Sequence, residues 1–423
     1  MKKIFALFLA FSFLLIALLF LTSCNMNLPV DIGIGGETTL GTPNESDNVK
    51  PWLETLQDQI VDRSSNRLID LPSRIVFQAS KNFYYSKVDG KAYVYCFDPV
   101  CNHTNYTCLA NPGSSLEGFS FTNTAFINDR FYCMTQYGKI YSFAFDGSDK
   151  KLEYDAGYNA DMLVSKSIWR TMIAYGPYLY IASKEHEAPH TLRFNVETKE
   201  MEDLTEKTGN YIYPYFFYNG MVYGQGDNTV AVDAFYQAEL DLQTVEQIED
   251  IPSDQYTESI LIGYVYRDRE SVEDQPEKIG ISFYDMKTKE QRIVTKEDLG
   301  LDYYPNFVAA TDEYFYFYKS ELINLGTVII NHGGKDKEVK VQKMNDGKLY
   351  RMNKDGTNIV CVYDNPDYEL NSNVVIYDDK IVMQGQYIAI ENGEKKVWGG
   401  AIQVATINPD GTIGEFVEVE VLQ

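Results

Sequence analysis

Asn128-Asp129-Arg130-Phe131-Tyr132-Cys133-Met134, a short turn, and then Lys139-Ile140-Tyr141-Ser142-Phe143-Ala144-Phe145-Asp146-Gly147 read as a strand, a turn, a second strand and a closing turn. Tyr141, Phe143 and Phe145 alternate with Ile140, Ser142 and Ala144, which is the period of two of a pleated strand, and Asp-Gly is a strong turn signal. The layout returns about every 45 residues along the chain. Its aromatic or aliphatic centre recurs at 83–85, 131–133, 178–180, 221–223, 264–266, 314–316 and 380–382, several times behind a turn pair such as Asn219-Gly220 or Asp378-Asp379.

An apolar strand is expected just before each centre, at 75–77, 119–127, 172–175, 213–218, 261–262, 307–310 and 374–377. A weaker, more charged strand is expected after each closing turn, as at 290–294 and 416–421. Four antiparallel strands per unit and seven units predict an all-β chain folded as a seven-bladed β-propeller, with six or eight blades as the alternative closures. The 33 tyrosines and 23 phenylalanines suit sheet surfaces. A repeat of this kind makes one large domain of 67–423.

The N-terminus reads as a targeting segment. Lys2 and Lys3 precede an apolar run from Ile4 to Leu21, and Leu21-Thr22-Ser23-Cys24 resembles the bacterial lipobox, whose cysteine is lipidated and becomes the first mature residue. Residues 1–23 are thus expected to be a lipoprotein signal peptide, with Cys24 the lipidation site and the body held at the cell membrane, outside the cytoplasm. Residues 24–50, rich in Gly, Thr, Asn and Pro, read as a flexible tether, and 51–66 as a short helix carrying Trp52, Leu56 and Ile60 at spacings of four. Without residues 1–23 the chain keeps 35 basic against 61 acidic residues, a net charge of −26. Such a surface repels nucleic acid and anionic headgroups.

Two irregularities stand out. In the first unit the outer strand gives way to Cys96, Cys101, His103 and Cys108, four soft ligands within 13 residues, with Cys133 nearby on the next unit. Three thiolates and an imidazole suit tetrahedral zinc, while an exported chain meets oxidising surroundings that favour disulfides; both alternatives cross-link a loop that has lost its strand pairing. Cys361, in the apolar run 359–363, is expected to be a buried thiol. The second irregularity is a set of enlarged connections between second and third strands at 183–190, 224–230, 267–278, 321–348 and 386–398, which antiparallel alternation places on one face. The longest has its own hairpin signal around Gly333-Gly334 and is expected to protrude as an arm.

The run Cys96-x2-Pro99-x-Cys101-x-His103-x4-Cys108-x-Ala110, directly after Tyr93-Val94-Tyr95, resembles a feature of propeller lipoproteins of Gram-positive anaerobes, related to the TolB-like and domain-of-unknown-function propellers. The resemblance implies a surface-anchored propeller and assigns no catalytic residue.

His186, His190 and Trp398 lie in the enlarged connections and are candidates for a ligand face. There is no Gly-x-Ser-x-Gly elbow and no glycine-rich loop opening a helix. The function expected is a membrane-anchored module binding a protein or glycan ligand. The alternative is an exported enzyme acting on glycans or peptidoglycan through paired carboxylates, which only a tertiary structure brings together.

Overall fold

The computed structural model describes residues 68–71, 73–78, 82–96, 100–102, 108, 124–135, 138–156, 171–184, 189–226, 235–248, 253–257, 260–266, 278–332, 335–391 and 394–422. The expected signal peptide, Cys24, the tether, the 51–66 helix, His103 and His186 lie outside them.

Seven small antiparallel sheets follow one another along the chain and form a seven-bladed β-propeller. Blade two shows the plan, with Thr124–Ile127 innermost, then Arg130–Met134, Lys139–Ala144 and the exposed outer strand Lys151–Asp155. Blade three runs from Thr171–Tyr175 to Met201–Asp203, blade four from Ile212–Tyr218 to Val245–Ile248, and blade five from Ser253–Thr257 to Gln291–Val294. Blade six runs from Pro305–Ala310 to Val360–Asp364 and blade seven from Tyr368–Tyr377 to Val417–Val419.

The turn pairs legible in the sequence do the work expected of them. Asn128 and Asp129 take φ of 48° and 60°, and Asn219-Gly220 takes 46° and 71°, the left-handed pairs that join two strands with the native twist. Alternation then sends half of each strand into the seam between neighbouring blades. Each seam holds its own apolar cluster. Between blades one and two, for instance, Tyr84 and Tyr95 meet Phe131, Phe143 and Phe145, and the buried Tyr95 hydroxyl donates to the Phe145 carbonyl at 2.7 Å.

Blade one closes the ring in a way no local pattern announces. Its own strands are Leu68–Asp70, Arg74–Gln78, Asn82–Ser86 and Ala92–Val94, and Val421–Leu422 from the far end of the chain pairs in parallel beside Ala92–Val94 as the outermost strand. Phe77, Phe83 and Tyr85 also pack on Val375, Val382 and Ile402 of blade seven, where the Tyr377 hydroxyl donates to that of Tyr85 at 3.2 Å.

Three expectations need correction. The first strand of blade five is Ser253–Thr257, and 261–262 belongs to its second strand, Ile260–Tyr266. A strand reading Ser-Asp-Gln-Tyr-Thr lacks the apolar run that marks the other six. Cys361 is exposed, because it sits on the outer strand of blade six, which has a neighbour on one side only. The connection at 386–398 is a continuation of the strands Lys380–Glu391 and Glu394–Thr406 past a register shift at Gly385/Gln386. A short helix, Leu204–Thr208, is capped by Asp203 and by Gly209 at φ 76° and is too short to show a helical period in the sequence.

Charge also ties blades together. Glu153 on the outer strand of blade two accepts from the Ser142 hydroxyl and lies 2.6 Å from the Lys199 ammonium in a turn of blade three. Burial pushes this carboxyl up, but the lysine and the hydroxyl outweigh it, and the net shift is downward. A carboxyl depressed in the folded state contributes stability above its unfolded pKa and loses it as pH falls through the folded value. Glu153→Gln is therefore expected to cost about 1–2 kcal/mol at pH 7, with the deficit shrinking at acid pH. Urea unfolding at pH 7 and at about pH 3.5, below the usual glutamate range, measures it. A deficit independent of pH would refute the ionic account.

Candidate functional site

The cysteine run begins where the third strand of blade one ends. Tyr95 is fixed by the hydrogen bond its backbone amide donates to the Asn82 carbonyl at 3.0 Å and by its buried ring, so Cys96 leaves the sheet from a rigid point. The sulfurs of Cys96, Cys101 and Cys108 all lie within 4.8 Å of one another, the first two half-buried and the third buried. Three sulfurs around one zinc at about 2.3 Å stand about 3.8 Å apart. The triad is thus near the size of a thiolate cage. Cys133 is not a member of it: it packs in the seam with Phe131, Tyr141 and Phe143.

His190 is the second residue of Pro189–Asn195 in blade three, and its Nδ1 lies 2.7 Å from an Asp203 carboxylate oxygen. The other oxygen of Asp203 accepts the Glu206 amide at 2.8 Å and caps the short helix. His190 therefore sits beside the carboxylate that caps this helix. Trp398 falls on Glu394–Thr406, opposite Tyr387 in the register.

The most distinctive construction stands on blades six and seven. The second strand of blade six runs on for 19 residues, Tyr314–His332, and returns as Lys335–Asn345, paired from His332↔Lys335 to Ser320↔Asn345 with register shifts at Asn324/Gly326 and Ser320/Ile323. This is the expected arm, longer than its sequence signal. Beside it the Lys380–Glu391 and Glu394–Thr406 hairpin of blade seven extends in the same way, and Val328 and Val341 of the arm bury against Ile388, with Leu325, Val339 and Ile390 around them.

The base of the arm is locked by buried polar groups. Asn345 accepts the Leu370 amide at 3.0 Å and the Gly347 amide at 3.2 Å through Oδ1, and donates Nδ2 to the Leu370 carbonyl at 2.8 Å. Buried Glu369 accepts the Met344 amide at 2.7 Å and the Gln386 side chain at 2.6 Å, while Lys343 donates to the Pro366 carbonyl. Burial holds the Lys343 ammonium below the usual lysine range, against the pull of Asp346, Asp367 and Glu369. Gly347, at φ 79°, is obligatory here, because a Cβ would lie 1.9 Å from the Asn365 carbonyl oxygen. The arm also bears large apolar side chains in water: Leu322 is 61% exposed and Ile329 70%, with Met344 about half exposed.

Comparison with protein-family models gives no match, and comparison with curated proteins gives none. Among solved structures the chain is similar to the β-propeller domain of the Trilobed protease from Pyrococcus furiosus, with 10% identity, 78% of this chain and 94% of that one covered, and a TM-score of 0.40. It is similar to TolB from Acinetobacter baumannii at 10% identity, covering 84% and 79%, with a TM-score of 0.30. A post-proline cleaving enzyme from Rickettsia typhi gives 10% identity and a TM-score of 0.41 over 70% of this chain, which spans only 45% of that enzyme. At such identities the fold assignment rests on the strand pairing itself.

Proposed function

We propose that this chain is a lipoprotein, anchored through Cys24 on the outer face of the cytoplasmic membrane, whose propeller binds a protein partner through the paired hairpins of blades six and seven. The observation that carries the binding role is the combination of a base locked by buried Asn345 and Glu369 with exposed Leu322 and Ile329 above it. Large apolar side chains left in water on a preorganised frame are what a partner surface covers. The anchor rests on the charged start, apolar run and Leu21-Thr22-Ser23-Cys24 of the sequence.

Two measurements test this reading. Mass spectrometry of the mature N-terminal peptide is expected to find Cys24 at its head with acyl mass, and an unmodified N-terminus ahead of Cys24 would overturn the anchor. A photo-crosslinking residue placed at Ile329 is expected to capture one discrete partner in intact cells, whereas one at exposed Val88 of blade one should not. Equal capture at both positions, or none at Ile329, would overturn the docking face.

We further propose that Cys96, Cys101 and Cys108 hold a structural zinc, with His103 as fourth ligand by its spacing. A closed site of four protein ligands has no open position for chemistry and clamps the cysteine run that leaves blade one at Cys96.

A further inference from the structure

The repeat allows one blade to be compared with another at the same register position. In blade three, Tyr180 on the second strand lies opposite Arg193 on the third, and Arg193 opposite Glu202 on the fourth. Arg193 donates Nε and Nη2 to Glu202 at 2.9 and 2.6 Å, and its Nη1 joins the Tyr180 hydroxyl on the Leu240 carbonyl of blade four, at 3.2 and 2.9 Å. Blade four repeats the line with Tyr223, Gln237 and Glu246, joined at 3.3 and 2.7 Å. In both, an outer-strand carboxylate ends the chain of donors.

Blade six has the same line with its last member changed: Tyr316 lies opposite Arg351, and Arg351 opposite Val360. The arginine stacks on Tyr314 at 4.2 Å, as Arg193 does on Tyr178 at 4.7 Å. Arg351 is only 7% exposed, yet its Nε and Nη1 are buried without a hydrogen-bond partner, and so is the hydroxyl of fully buried Tyr316. Asp410, in the adjoining turn of blade seven, feels the arginine's charge, but its Oδ1 is committed to the Thr412 amide and hydroxyl at 2.9 and 2.6 Å. A buried guanidinium left with unused N–H groups is costly, and the planar fork is matched by a carboxylate. Val360 beside it is 40% exposed, so the edge where the missing acid would sit borders solvent.

We propose that Arg351 and Tyr316 form a binding site for a small carboxylate at the seam of blades six and seven, the bound acid taking the place that Glu202 fills in blade three. The site is independent of the docking face and of the cysteine loop. Arg351 lies on the third strand of blade six and Tyr316 near the start of the second, before that strand leaves the blade as the arm, and the site requires no metal.

The test uses the full mature chain with sodium acetate as the probe, against chloride and sulfate at equal ionic strength, read by thermal unfolding and calorimetric titration. Acetate is expected to raise the unfolding temperature of the wild type saturably, beyond the effect of either control salt. In Val360→Glu the glutamate supplies the carboxylate from within the chain. The unfolding temperature in chloride should then rise, and acetate affinity should fall about tenfold or more, the scale of a charge-assisted hydrogen bond. Arg351→Gln should abolish the acetate response. If that variant does not fold, Val360→Glu decides alone. An acetate effect unchanged by Val360→Glu, or matched by chloride, overturns the site, and a saturable response to sulfate equal to that of acetate overturns the carboxylate assignment.

Discussion

The mature chain, purified at neutral pH without reductant or chelator, is expected to carry one zinc per molecule, and Cys108→Ser to carry none. Cys108 is the buried member of the triad, and all three sulfurs already lie within 4.8 Å of one another. Closing to tetrahedral spacing therefore needs movements of about 1 Å. Among the described residues Cys96, Cys101 and Cys108 belong to no strand, and a bound metal would tie them together. Structural zinc sites contribute on the order of 10 kcal/mol to the folding of the segments they organise. Chelation should thus leave the seven blades paired but expose the loop to proteolysis near residues 101–108. Because thiolates are the ligands, zinc should be released as the pH is lowered. Intact mass and metal analysis on one sample separate the alternatives. A chain two hydrogens lighter per cysteine pair, with no zinc, would establish a disulfide staple and sink the metal reading.

Asn345→Ala is expected to lower global stability by about 3–4 kcal/mol, since it strands the Leu370 amide and carbonyl in a buried site. The contact joins two blades: one side chain satisfies both backbone groups of a residue on the next blade and an amide of its own turn. Asn345→Asp keeps the acceptor and loses the donor, so it should retain part of the stability. Urea unfolding measures both, and hydrogen exchange along Lys335–Asn345 shows where the loss falls. A loss below about 1 kcal/mol in Asn345→Ala, within the range of ordinary surface changes, would mean that the arm is held by its apolar contacts and that the polar base is incidental. In that event the rigidity invoked for the docking face would have to come from Val328, Val341 and Ile388.

The candidate sites differ in how far they were legible. The cysteine cluster was visible because its members lie close together in sequence, and the structure adds that three of them converge while Cys133 turns into a seam. The arm was visible through Gly333-Gly334, but its anchorage was not, because Leu370 lies 25 residues beyond Asn345 and nothing in either residue names the other. His190 was a ligand-face candidate on residue type alone, and the structure adds that its Nδ1 lies 2.7 Å from Asp203, a neighbour 13 residues away that the histidine itself does not announce. The Arg351 line was invisible: Val360 is one apolar residue in an apolar strand, and its meaning appears only when Glu202 is found at the matching position of blade three.

By itself the sequence determined the local geometry: period-two alternation of Tyr and Phe makes strands, Asn-Asp and Asn-Gly pairs make tight turns, and their recurrence makes a seven-fold array. These are properties of neighbours within a few residues, where backbone sterics and side-chain direction suffice. The tertiary structure alone decided how the ring closes, with Val421–Leu422 beside Ala92–Val94, and which side chains face one another across a seam. Alternation says that a side chain leaves the sheet on a given face. What it meets there depends on the twist and order of the blades, and so on residues tens to hundreds of positions away.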